Sequence, residues 1–102
     1  MDKIEILIIG TNKSIMETIA RLIDQNEKWL ATIAFSVEEA LQICLTKQFG
    51  LALICAGLDA KEEQDLAKEL TQLYPNLPVT IHYGGGSGLL FAEIYQGLNP
   101  SL

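Results

Sequence analysis

Two side chains that can react or bind metals lie near the ends of neighbouring predicted strands. Cys55 ends one short apolar run, and His82 lies near the end of the next. A cysteine beside a histidine can act as a nucleophile, and both side chains can bind metals. A cysteine at the end of a buried strand is more often a small core residue. We therefore interpret Cys55 as core, and a thiol enzyme remains an alternative that rapid alkylation would support.

A glycine-rich segment follows the fourth predicted strand and precedes the last predicted helix. Helix N-termini attract anions because their first amides have no partner within the helix. The segment has neither the Lys-Ser/Thr pair of a P-loop nor a G-x-G-x-x-G spacing in the first βα unit, so it is either a turn or an anion site. The residues of this possible anion or ligand site, which Tyr83 adjoins, are His82, Gly84, Gly85, Gly86, Ser87 and Gly88.

An acidic run, 59–65, contains Asp59, Glu62, Glu63 and Asp65. Acidic residues at this spacing are typical of a helix cap and first turn, where the helix dipole favours negative charge. Consecutive side chains on a helix do not converge on one ion. We therefore predict no metal site in this run. For the chain as a whole we expect no cofactor and no enzymatic activity.

Apolar patterning alternates between strand and helix four times. Strands are predicted at 4–9, 29–35, 51–55 and 77–83. Helices follow, capped by Asn12 or Ser14, by Ser36 in a capping box with Glu39, and by Asp59. They are expected to end near residues 26, 47, 75 and 100, and the last is expected to begin after the glycine-rich segment.

Four successive βα units predict a doubly wound α/β domain with a parallel sheet and helices on both faces. The expected strand order is 2-1-3-4, which places the switch point between the first and third strands, at their C-terminal ends. Gly10, Thr11, Cys55 and Tyr83 are expected around that crevice.

Three segments resemble response-regulator receiver domains: 6–12 (ILIIGTN), 49–55 (FGLALIC) and 78–84 (PVTIHYG). The resemblance implies a flavodoxin-like receiver fold that lacks the fifth strand and helix. In the family these strands end in two acidic residues, in the phosphate-accepting aspartate, and in a hydroxyl residue before a small one. A lysine before proline follows later. The corresponding positions here are Gly10, Thr11, Cys55, Tyr83 with Gly84, and Asn99.

Mg²⁺ needs several oxygen ligands at once, and phosphoryl transfer needs the ion to offset developing charge. Gly10, Thr11 and Cys55 do not supply such a cage. The resemblance combined with these departures predicts a degenerate receiver that signals without an aspartyl phosphate. A sensor that binds a small ligand or anion on residues 84–88 is the alternative.

Composition and charge limit the classes of molecule that the chain is expected to bind. The 102 residues are 49% hydrophobic and carry a formal net charge of −6, and Cys44 and Cys55 are the only cysteines. We predict one domain spanning residues 1–102, reduced cysteines, a cytoplasmic location, and neither nucleic-acid nor membrane binding. The predicted partners are an unidentified signalling protein and a second copy of the chain.

The last predicted helix is apolar nearly all round, and the fourth strand is expected to be a sheet edge. Bare edges and apolar patches are rare on soluble proteins. We therefore expect self-association through this region, with contacts from Leu89, Leu90, Phe91, Ile94, Tyr95 and Leu98.

Overall fold

A computed structural model describes residues 3–55, 57–82 and 86–98, with only the backbone described at 86 and 87. Strands and helices alternate along the chain. The strands are β1 (Ile4–Ile9), β2 (Trp29–Ala34), β3 (Leu51–Ile54) and β4 (Val79–Ile81). The helices are α1 (Lys13–Asp24), α2 (Val37–Thr46), α3 (Ala60–Leu73) and α4 (Gly86–Leu98).

The four strands form one parallel sheet in the order β2-β1-β3-β4. Ile9, the last residue of β1, lies opposite Ala34 in β2 and Ile54 in β3, so the C-terminal ends of these strands meet at one edge. The predicted fold class and strand order are confirmed.

Both faces of the sheet are covered by helices. On one face, Met16 and Ile23 of α1 and Leu90 and Ile94 of α4 share a buried cluster with residues of β1 and β3. On the other face, α2 and α3 bury a second cluster. Because β1 and β3 have helices on both sides, their sequences are nearly continuous apolar runs.

Side-chain caps set the helix starts. Asn12 accepts a hydrogen bond from the Ile15 amide, which decides between the two predicted caps of α1. Asp59 and Glu62 form the reciprocal capping box at α3, as the acidic run predicted. At α2 the prediction needs a correction: Ser36 accepts from the Glu39 amide, but the Glu39 carboxylate accepts from the Phe35 amide.

The largest differences from the predicted boundaries are at β4 and α4, while β2 and β3 each end one residue earlier than predicted. β4 is shorter than 77–83, although the His82 amide still donates to the Ile54 carbonyl at 2.8 Å. α4 begins at Gly86, inside the segment predicted as a loop. Glycine costs about 1 kcal/mol in a helix interior, but burial of Leu90 and Ile94 farther along offsets such a cost.

Across the described parts of the chain, no helix has both the length and the apolar character that a membrane span needs. The two cysteines are free and buried, as predicted. Cys44 lies in the cluster under α2 and α3, and Cys55 lies in the cluster under α1 and α4, so the sheet separates them.

Candidate functional site

The site lies at the C-terminal ends of β1 and β3, where the sequence predicted a crevice. The Cys55 amide donates to the Ile9 carbonyl at 2.7 Å, and the Gly10 amide donates to the Ala34 carbonyl at 3.0 Å. Gly10 is buried and Thr11 is exposed. The structure therefore brings together Gly10, Thr11 and Cys55.

The loop between β3 and α3 lies directly against Thr11. Gly57 has a φ of 105°, which favours glycine, and a Cβ built on it would lie 2.0 Å from Thr11 Oγ1. The loop after β3 therefore packs against the loop after β1 at the C-terminal edge of the sheet. Sequence reasoning missed Gly57, because nothing nearby in the chain indicates its conformation.

The thiol of Cys55 is buried beneath this edge. Its Sγ donates weakly to the Leu53 carbonyl at 3.7 Å. Burial raises the pKa of the thiol to about 12, and the negative charge of Glu93 adds to the increase, while a hydrogen bond with the Ile9 backbone partly opposes it. A catalytic thiol has the opposite properties, a lowered pKa and an exposed sulfur.

We expect Cys55 to react very slowly with iodoacetamide in the folded protein. Raising the pKa from 9.0 to about 12 lowers the thiolate fraction at neutral pH by roughly a thousandfold. Mass mapping of the alkylated peptides measures the rate. Cys44, whose pKa burial also raises, is the internal comparison in the other cluster.

The Glu93→Gln variant separates the two causes of the shift at Cys55. Removing the carboxylate charge should lower the Cys55 pKa, but desolvation, the larger cause, should keep it above its usual value. Titration by ultraviolet absorbance of the thiolate reads this pKa directly. Rapid alkylation of native Cys55 would contradict the assignment to the core.

His82 and Glu93 form a part-buried polar contact between the end of β4 and α4. The two side chains are 8% and 15% exposed, and Nδ1 of His82 contacts Oε1 of Glu93. The contact is an ion pair when the imidazole is protonated. It secures α4 to the edge strand and leaves His82 Nδ1 engaged within the chain.

Sequence reasoning did not find Glu93. It described α4 by its apolar residues, yet Glu93 is the only charged residue between positions 86 and 98. A single charge on an otherwise apolar helix is the signal that was available. The structure gives that charge a partner in His82 and places it close enough to Cys55 to affect the thiol.

The predicted anion loop is corrected in part. Gly86, Ser87 and Gly88 form the first turn of α4 instead of a flexible loop. Packing farther along the helix overrides the low helix propensity of glycine. Tyr83, Gly84, Gly85 and Asn99 lie outside the described residues.

The predicted interface on α4 also needs a correction. Leu90 and Ile94 are buried in the core of the chain itself, and Phe91 and Leu98 pack against that core. The helix covers the sheet because these side chains point inward. Leu89 and Tyr95 are 46% and 55% exposed, and the Tyr95 ring lies edge-on to Trp29 at 5.1 Å.

Four carboxylates on the helices that follow the strands make contacts within the chain. Glu93 contacts His82, Glu39 accepts from the Phe35 amide, and Asp59 and Glu62 cap α3. Within residues 3–55, 57–82 and 86–98, no group of three or more His, Cys, Asp or Glu side chains is placed to hold a metal ion.

A groove of about 650 Å³ lies between the C-terminal ends of α2 and α3, away from the site described above. Leu45 and Leu73 contribute to its lining and are 78% and 55% exposed. Leucines this exposed do not stabilise the fold by burial and mark an apolar surface available for contact.

The chain resembles known proteins in structure but not detectably in sequence. No protein-family model matches the sequence, and no curated protein is significantly similar to it. A CheY-like response regulator receiver domain protein from Methanospirillum hungatei JF-1 superposes with a TM-score of 0.83 at 18% identity, covering 97% of this chain and 96% of that one.

Two further solved structures agree with this result. A response regulator receiver domain protein from Clostridium thermocellum gives a TM-score of 0.80 at 15% identity, covering 96% of each chain. The receiver domain of the hybrid histidine kinase CckA gives 0.76 at 18% identity, covering 93% of this chain and 99% of that one. The chain therefore has the fold of response-regulator receiver domains, which confirms the receiver-like resemblance.

Proposed function

We propose that the chain is a receiver-like signalling domain that works through protein contacts and without phosphotransfer. One observation carries this proposal: at the ends of β1 and β3, where receivers have carboxylates, the chain has Gly10, Thr11 and the buried thiol of Cys55. Glu93, the carboxylate whose charge acts on Cys55, contacts His82.

The chemistry of phosphoryl transfer supports the proposal. An aspartyl-phosphate switch needs a carboxylate nucleophile and Mg²⁺ ligands, and Mg²⁺ prefers a near-octahedral set of oxygens. The Thr11 hydroxyl and backbone carbonyls are weak substitutes for two carboxylates. The high thiol pKa of Cys55 also makes it a poor replacement nucleophile at neutral pH.

Protein contact is the mode of action that the surface supports. Leu45, which is 78% exposed, lies at the groove beside α2, and Leu89 is exposed on α4 near β4. The proposed partners are a second copy of the chain and an unidentified signalling protein, and no catalytic activity is proposed. Two free cysteines are compatible with the cytoplasmic location that we propose.

The anion-sensor alternative has less support. Three of its six residues lie in the first turn of α4, and Nδ1 of His82 is engaged by Glu93. Stabilisation by inorganic phosphate in a thermal-shift measurement would favour this alternative.

A labelling experiment tests the proposed loss of phosphotransfer. We expect no covalent label when the protein is incubated with acetyl phosphate and Mg²⁺, and no change in Tm when Mg²⁺ alone is added. Both follow from the missing carboxylates at Gly10, Thr11 and Cys55. Intact-protein mass spectrometry reads the label. A receiver domain with its full acidic set is the positive control, and Mg²⁺-dependent, hydroxylamine-sensitive labelling of this chain would disprove the proposal.

A further inference from the structure

The groove between the C-terminal ends of α2 and α3 has a floor that belongs to the core. Cys44 lies in the buried cluster under these helices, and Phe49, Tyr74 and Leu77 pack against that cluster. The same four residues line the groove. A side chain that enters the groove therefore meets residues that the fold already holds, so binding there orders little of this chain.

The rim of the groove is apolar and exposed. Leu45 lies in the last turn of α2 and Leu73 ends α3, and both line the groove. Covering exposed leucine side chains with the apolar side chains of a partner is favourable in proportion to the area removed from water. The rim and the floor together form one surface suited to apolar side chains.

The two helix ends favour positive charge at this groove. The last carbonyl groups of a helix have no amide partner within the helix, and the C-terminus carries a partial negative charge. Both α2 and α3 end at the groove, and neither has a basic residue in its last turn. Glu69, one turn before Leu73 on α3, is also exposed.

Lys47 does not cancel this preference. Among the described residues that line the groove, it is the one charged side chain, and its Nζ lies 2.8 Å from Glu5 Oε1. Its charge is therefore paired within the chain. The groove is apolar in its lining, and its surroundings favour a cation.

We propose that this groove binds a short amphipathic segment of another signalling protein, in which apolar side chains are flanked by Lys or Arg. The inference rests on the proposed function through protein contacts and states the chemistry of the partner. The apolar side chains cover Leu45 and Leu73, and the basic side chains donate to the last carbonyl groups of α2 and α3. The net charge of −6 on this chain favours the approach of such a segment.

A second copy of this chain fits the groove less well. It carries the same net charge of −6, and a twofold contact through the groove places the ends of α2 and α3 opposite the same ends of the other copy. Like partial charges then face each other. The partner at this groove is therefore a different chain, and the proposed self-association uses another surface.

Synthetic peptides test the apolar and the charged parts of the proposal separately. The probe is an amidated peptide of three Leu-Leu-Lys-Lys repeats, whose leucines share one face of a helix. In one control peptide glutamate replaces each lysine, and in the other serine replaces each leucine. We expect each control to bind at least about tenfold more weakly than the probe. Isothermal titration calorimetry at physiological ionic strength measures the affinities.

Alanine variants test whether the probe binds at this groove. We expect Leu45→Ala and Leu73→Ala, each alone, to weaken binding of the probe about fivefold or more. Ile15→Ala is the control, because Ile15 is also exposed but lies on α1, which covers the opposite face of the sheet. It should leave the affinity unchanged. All three side chains are exposed, so the variants are expected to keep the fold.

Lysine variants on α3 test the role of the helix ends. Gln72→Lys places a cation of the chain itself in the last turn of α3, so we expect it to weaken binding of the probe about two- to fivefold. Gln64→Lys is the matched control, since it changes the net charge equally on the same helix. It lies roughly 12 Å farther along the helix axis, beyond the screening length of about 8 Å, and should have little effect.

Amide chemical shifts of the unmodified protein locate the probe without any variant. We expect the shifts that change on addition of the probe to lie at residues 44–49 and 73–77, with the Ile15 amide as the reference on the other face. Changes at 44–49 and 73–77 that appear on raising the protein concentration without the probe would assign the groove to a second copy and overturn the proposal.

Failure of this inference is distinguishable from failure of the proposed function. Absence of binding, equal binding of the lysine and glutamate peptides, or shifts confined to other surfaces would overturn the groove assignment and leave the proposed loss of phosphotransfer intact. Mg²⁺-dependent labelling by acetyl phosphate would remove that proposed loss and would not affect binding of the probe. Binding of the probe that maps to the groove and is weakened by Leu45→Ala, Leu73→Ala and Gln72→Lys supports the inference.

Discussion

Replacing Gly57 with alanine is expected to lower the free energy of unfolding by about 2–4 kcal/mol. The φ of 105° is one that an L-residue rarely adopts. The added Cβ would also lie 2.0 Å from Thr11 Oγ1 and 3.0 Å from the Thr11 amide nitrogen. The Thr11 side chain can rotate, but the backbone nitrogen moves only if the loop after β1 moves. Urea denaturation followed by circular dichroism measures the loss.

Two controls separate backbone strain at Gly57 from the collision with Thr11. Thr11→Ala in the Gly57→Ala background removes the hydroxyl contact, so we expect it to recover roughly 1 kcal/mol and leave the strain. Gly88→Ala is the matched glycine control, because a Cβ there meets nothing within 4 Å. It should be neutral or stabilise α4 by up to about 1 kcal/mol. A Gly57→Ala variant as stable as the parent would contradict the close approach.

The contact at Gly57 bears on function because it lies at the edge where receivers bind Mg²⁺. In this chain the loop after β3 is held by van der Waals contact with Thr11. Glu93 is satisfied by His82. The edge is therefore held by contacts within the chain.

The architecture was predictable because it depends on local patterns. β1 and β3 are short β-branched or aliphatic runs, and Asn12, Ser36 and Asp59 are side-chain caps that can be recognised over four residues. Alternation of such elements leaves few parallel topologies. The strand order followed from that restriction.

The details of the site depend on contacts between distant parts of the chain. Gly57, with its positive φ, packs against Thr11 from the loop after β1, and Glu93 on α4 contacts His82 at the end of β4. The start of α4 at Gly86 depends on packing of Leu90 and Ile94 against the sheet. Propensity and spacing do not contain this information, which is why α4 was predicted to begin after residue 88.

The second large effect is expected at Ile94, a residue of α4 whose side chain is completely buried. Ile94→Ala should reduce the free energy of unfolding by about 2–5 kcal/mol, because it removes apolar contacts and leaves a cavity beneath the helix. The surrounding cluster includes side chains of β1 and β3, which cannot readily collapse into the space. Chemical denaturation at several protein concentrations measures the effect.

Concentration dependence decides whether Ile94 belongs to the core or to an interface. If α4 packs within its own chain, Ile94→Ala destabilises each folded monomer. The loss in the free energy of unfolding is then the same at every protein concentration, because it does not depend on association. Leu89→Ala is the matched control on the exposed side of the same helix. It should cost less than about 1 kcal/mol in the monomer and weaken the dimer instead. A loss at Ile94 that appears only at dimer-forming concentrations would place this residue between two copies and show that α4 does not cover its own sheet.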